Sequence, residues 1–176
     1  MPPRENGNQP ESGLRHILVH AYKDGMISFM QSHPDTFGEL VELAVAEEGK
    51  LSWRAVWLLW SCMEPNDPRV RPFIPRFLEQ LPGENESYQR DTLMVLQRME
   101  RTEEQDGILF DICTRIWMKV NSIPSVRYNA FRCMVSISRK FPELAAETIG
   151  LAEPKYVNSL SPGVRHSVQR IIHEIS

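Results

Sequence analysis

The sequence predicts an all-α fold, a right-handed α-α superhelix of about four to five helical hairpins. Three observations predict it. Apolar residues recur at intervals of three and four, the spacing of one helix face, in segment after segment. No strand-like alternation of useful length intervenes, and no Asn-Gly or Asp-Gly pair sits between two strand-like runs. An arginine-anchored pattern also returns every 36 to 39 residues. A period of that size with two helices per unit marks a helical-repeat solenoid.

Taken in order, helices are predicted over about 13–22, 24–32, 35–48, 51–63, 68–81, 86–101, 103–120, 125–140, 142–152 and 162–175, with ends uncertain by about two to four residues. The breaks between them read "SHPD", "EPNDP", "LPGE", "NSIPS", "KFPE" and "LSPG". Asp67-Pro68 and Ser161-Pro162 each offer an N-cap followed by a first-turn proline. Thr102 with Gln105 has the spacing of a capping box. Ser125 is placed to cap the helix that begins "VRYNAF". Pro72 and Pro75 imply a kinked or late-starting helix in "RVRPFIPRFLEQL".

The repeat is carried by five anchors, Arg15, Arg54, Arg90, Arg127 and Arg165, spaced 39, 36, 37 and 38 residues apart. Around each, offsets -1, +3 and +6 form one stripe. It reads Leu14, Leu18, Ala21; Trp53, Trp57, Trp60; Gln89, Leu93, Leu96; Val126, Ala130, Cys133; and Val164, Val168, Ile171. Only Gln89 is polar, so packing positions carry the period along with arginine. Trp53, Trp57 and Trp60, three of the four tryptophans, fall on this stripe. They are expected to pack as core rather than to form a stacking platform.

The words "SVRYNAF" and "GVRHSV" resemble the second helix of HEAT repeats, where a Val-Arg pair precedes a small residue. The prolines of "FIPRFLEQL" are similar to those of a HEAT first helix. The resemblance, to the HEAT-like and armadillo-type helical repeats, covers residues 12–175, and the whole chain is similar to a group of bacterial HEAT-like proteins of this length. It implies that the second helices line a concave face and that the arginines form a ladder along it. The candidate partner groove then holds Arg15, Arg54, Arg90, Arg127 and Arg165. An apolar row at offset +4 includes Leu58, Met94 and Phe131, and Tyr128 stands at offset +1. Cationic and apolar rows side by side suit a peptide carrying acidic and apolar groups. The alternative is structural: the arginines bond carboxylates or helix C-termini of the adjacent repeat.

Composition restricts the chemistry. The 176 residues carry a net charge of -3 and 41% hydrophobic residues, which fits one domain or one short repeat array. No basic surplus points to nucleic acid, so DNA is expected to bind only weakly and non-specifically. The longest apolar run, Ala55 to Trp60, is far below the roughly 20 residues of a membrane span. Residues 1–11 are polar and rich in Pro, Gly and Asn, without the apolar core of a secretory signal. They are read as a flexible tail, ahead of a single repeat domain over residues 12–176. Three cysteines at scattered spacings suit buried, reduced thiols in the cytoplasm.

His16 and His20 stand at i, i+4, but no cysteine pair or HExxH motif completes a metal site. No cofactor motif is present, and no catalytic residue can be singled out. The acidic runs "EEGK", "GENE" and "RTEEQDG" are expected to be solvated surface. The expected function is a non-catalytic scaffold or adaptor for a protein or peptide partner. The runner-up is a nucleic-acid-acting HEAT-like protein of the DNA alkylpurine glycosylase type, a comparison that singles out Asp111 and Trp117 along with the tryptophans of the stripe.

Overall fold

The structure, a computed structural model, describes residues 13–83 and 85–176. The flexible tail expected over residues 1–11 lies outside them. Among the described residues the chain is all-α, without a strand. Its helices are α1 (Gly13–His20), α2 (Lys23–Ser32), α3 (Phe37–Ala44), α4 (Lys50–Cys62), α5 (Ile74–Gln80) and α6 (Glu86–Gln97). They continue as α7 (Glu103–Met118), α8 (Pro124–Lys140), α9 (Ala145–Gly150), α10 (Pro154–Val157) and α11 (Pro162–Ile172). Every helix the sequence predicts is present. The short α10 is an addition, since four residues are too few to display a helical period.

Local chemistry sets most of the boundaries. Three 3-10 turns that open on or contain proline, Pro34–Thr36, Arg71–Phe73 and Pro142–Leu144, lead into α3, α5 and α9. The fifth helix therefore starts late, at Ile74, where Pro72 and Pro75 allow it. Glu47 and Gly49, both at a φ of 59°, turn the chain between α3 and α4. The Thr102–Gln105 capping box forms in both directions, and Ser161 accepts from the Val164 N–H with Pro162 in the first turn. Two expected caps are corrected. Asp67 caps no α-helix; its buried carboxylate accepts from the Glu64 and Arg69 N–H groups and holds the Arg69 guanidinium. Ser125 lies one residue inside α8, whose N-cap is Ile123, because Pro124 already takes the first helical position. The Ile123 N–H is satisfied by Glu86 instead, at 3.0 Å.

The chain forms two compact units, divided between Cys62 and Met63. In the first, α3 and α4 pack as a hairpin, and α1 and α2 pack on α4. In the second, α8 is the hub: α6, α7, α9 and α11 all pack against it. The stripe is buried in α6 and α8, where Gln89 donates to the Leu81 carbonyl at 3.0 Å and so satisfies its polar group. It is largely buried in α1 and α11 too, through Leu14, Leu18, Val168 and Ile171.

In α4 the expectation holds only in part. Trp53, Trp57 and Trp60 are only half-buried, and the buried face is Ala55, Val56, Leu58 and Leu59. Small and aliphatic side chains fill the face that α1, α2 and α3 surround. The indole rings, which are rarely enclosed completely, are partly covered, and the ring nitrogens of Trp53 and Trp60 are buried.

Candidate functional site

The arginine column is reached first from its partners. Arg15 makes a bidentate pair with Glu48 at 2.7 and 2.8 Å, and that hydrogen-bonded guanidinium holds the Glu48 carboxyl below its usual range. Arg54 donates to the Ala21 carbonyl just past the end of α1 and contacts the Met26 sulfur. Arg90 clasps the buried carboxylate of Asp91 at 2.8 and 3.0 Å, which raises the pKa of the guanidinium. Arg165 donates to the Leu160 carbonyl at 3.3 Å.

Arg127 goes furthest. It is fully buried, and burial pushes its pKa down. It donates to the Trp117 carbonyl at 2.9 Å, the Tyr156 carbonyl at 2.6 Å and the Ser159 hydroxyl at 2.8 Å. Its guanidinium also lies 4.7 Å from the centroid of the Trp117 ring.

Arg15, Arg54 and Arg127 thus reach partners 29 to 33 positions away, as the structural alternative has it, whereas Arg90 and Arg165 bond residues one and five positions away. Three candidates need correction. Arg127, Leu58 and Phe131 are all 0% exposed, so none can meet a partner. The reason is register. Offset +4 of α4 and of α8 lies against neighbouring helices, and Phe131 stacks on Trp117 with ring centroids 4.5 Å apart.

A groove does exist, on a face of the second unit formed by α6, α8 and α11, with a volume of about 700 Å³. From α6 it receives Met94 and Gln97, with Arg98 just past its end; from α8, Tyr128, Arg132, Val135, Ser136 and Arg139. From α11 and the turn after it come Arg170, Ile171 and Glu174. Met94 and Tyr128 are the two candidates that the structure brings there. Four arginines stand against one carboxylate, so the wall is cationic although the chain is net acidic.

The groove arginines are not those of the column. Arg132 and Arg170 sit at offset +5 from Arg127 and Arg165. Arginine fills that offset in the last two repeats only, where the others have His20, Leu59 and Val95. A row of two was the available signal. Arg132 lies over the Tyr128 ring at 6.0 Å, and Gln97 is oriented by a 3.1 Å bond to Asn129. Arg139 is paired with Glu174.

The other candidates fall outside this groove. Trp117 is buried, with its indole N–H on the Leu151 carbonyl at 2.7 Å, while Asp111 is exposed on α7. The His16 and His20 rings rest on each other, 4.5 Å between centroids. Among the described residues no group of three or more His, Cys, Asp or Glu could hold a metal ion. Among them, too, no helix is long and apolar enough to cross a membrane. Cys113 and Cys133 are buried free thiols, and burial pushes Cys113 well up. Asp106, expected as solvated surface, is instead buried between Arg101 at 2.7 Å and Lys140 at 2.9 Å.

A family model described as a HEAT repeat domain matches residues 12–175. No match was found among curated proteins or among solved structures.

Proposed function

The chain belongs to the HEAT repeat domain family, and we propose that it acts without catalysis, as a scaffold or adaptor that holds a protein or peptide partner in the groove of α6, α8 and α11. One observation carries the reading. The groove sets guanidinium groups beside Met94, Tyr128 and Ile171, so it offers charge-assisted hydrogen bonds and apolar contact within one peptide's reach. The reading treats residues 12–176 as one repeat domain. It places the protein in the cytoplasm, where thiols such as Cys62, Cys113 and Cys133 stay reduced.

The cationic sign of the groove also favours a second reading, nucleic-acid action of the alkylpurine glycosylase type. Against it, Trp117 is enclosed in the core, and the groove's one carboxylate, Glu174, is tied to Arg139. An affinity capture with wild type and with the Arg132→Glu, Arg170→Glu double variant tests the proposal. Proteins retained by wild type and lost by the variant are the expected result, with both chains equally folded by circular dichroism. Identical retention would remove the groove as the partner site. Release of base from alkylated DNA by the wild type alone would put the second reading first.

A further inference from the structure

Glu174 lies in the turn after α11 and Arg139 near the end of α8, 35 positions apart in sequence. Their side chains meet on the groove wall, where they remain 40% and 52% exposed. An ion pair that open contributes little stability, because water and salt screen it and both side chains lose freedom. It is therefore easily exchanged. It also demonstrates a chemistry: this groove seats a carboxylate on a guanidinium. Arg132 and Arg170 flank the same wall, and among the described residues no ion pair engages either of them.

We infer that Glu174 is a built-in competitor for the groove, and that the occupant is an acidic peptide whose carboxylate takes the place of Glu174 on Arg139. The inference rests on the groove reading above and adds what the partner carries and what it displaces. Exchange conserves the ion pair: one carboxylate leaves Arg139 as another arrives. Further acidic groups of the peptide meet Arg132 and Arg170. Apolar side chains between them meet Met94 and Ile171, a pattern of alternating acidic and apolar residues. A nucleic acid would use the same arginines. It would leave the apolar contacts at Met94 and Ile171 idle, and Tyr128 is the one aromatic ring that lines the groove.

Two consequences follow for binding. Removing the charge of Glu174 frees Arg139 and strengthens capture. Removing Arg132 and Arg170 takes away the charge-assisted bonds that no internal group replaces.

Fluorescence anisotropy with a labelled peptide alternating Glu and Leu tests this, with a Lys-Leu peptide and oligothymidylate as the other probes. Glu174→Gln should tighten the Glu-Leu peptide by about threefold to tenfold. Glu174→Ala, which removes the residual amide hydrogen bond as well, should tighten it at least as much. The Arg132→Glu, Arg170→Glu double variant should weaken it by about tenfold or more. If both Glu174 variants match wild type while the double variant loses binding, Glu174 is no competitor and the groove reading survives alone. If wild type and E174Q both ignore the Glu-Leu peptide, or bind the Lys-Leu peptide as well, the acidic partner is refuted. Tighter binding of oligothymidylate than of the Glu-Leu peptide would overturn the inference in favour of nucleic acid.

Discussion

Helices α4 and α8 hold the same place in the repeat and treat their large side chains in opposite ways. In α8 the anchor Arg127 is sealed from water with three hydrogen-bond partners, and Phe131 behind it is equally enclosed. In α4 the anchor Arg54 is only partly buried and is hydrogen-bonded to a single carbonyl, while Trp53, Trp57 and Trp60 are only partly buried. The periodic sequence position is shared; the depth is not. A repeat pattern therefore specifies which residues face the next helix, and the volume available there decides how far each sinks. A cation without a carboxylate partner can sit in the core of α8 because carbonyls and a hydroxyl converge on its planar fork.

The contrast can be broken most directly at its deepest point. Arg127→Ala would strand the Trp117 carbonyl, an unmet buried acceptor costing about 1–3 kcal/mol, leave the Tyr156 carbonyl with only its 3.3 Å bond from Ser159, and open a cavity beside Trp117. A loss of at least about 3 kcal/mol in urea denaturation is expected, a large share of a typical total of about 5–15 kcal/mol. A loss under about 1 kcal/mol would mean that the site fills with water and that burial of the cation is unimportant.

The aromatic comparison is next in size. Phe131→Ala should cost about 3–5 kcal/mol, as for a fully enclosed ring. Trp57→Ala should cost less, about 1–3 kcal/mol, since the ring is only partly buried. Equal losses in matched denaturation curves would erase the distinction between the two helices.

The smallest effect belongs to the first anchor, and it depends on pH. Arg15 lowers the pKa of Glu48 in the folded chain. The pair's stabilisation is therefore present above the unfolded carboxyl pKa and is lost as pH falls through the lower folded value. Glu48→Gln should cost about 0.2–1 kcal/mol at neutral pH, because both partners are more than one-third exposed. The difference from wild type should shrink as pH falls below the ordinary carboxyl range and vanish once it is below the lowered folded value. A cost that persists in acid would assign Glu48 a packing role instead.

Much of this architecture could be read before folding. Thr102 with Gln105 and Ser161 with Pro162 act within one turn, so their effect is written in adjacent residues. Asp67 has the same local look but serves the turn that carries Asn66 at a φ of 53°. Its buried carboxylate is held low by the hydrogen-bonded Arg69 side chain. The arginine period was legible as a period. Whether it faced a partner or a carbonyl depended on where Ala21, Trp117 and Tyr156 end up, and no local pattern reports that. The groove was half legible. Met94 and Tyr128 belong to it, whereas the meeting of Arg139 with Glu174 requires two distant helix ends to converge.

Arg127 has a consequence for how the chain comes apart. One guanidinium grips the end of α7 through Trp117 and, through Tyr156 and Ser159, the segment that leads from α10 to α11. In a repeat protein each unit is held chiefly by its nearest neighbours. Here Arg127 adds to the helix packing a polar link between those segments, so opening the α10–α11 segment would flood the burial site of a cation. Amide protons of α7, α8 and α11 should then exchange in a common opening event rather than helix by helix, which makes these elements one cooperative unit.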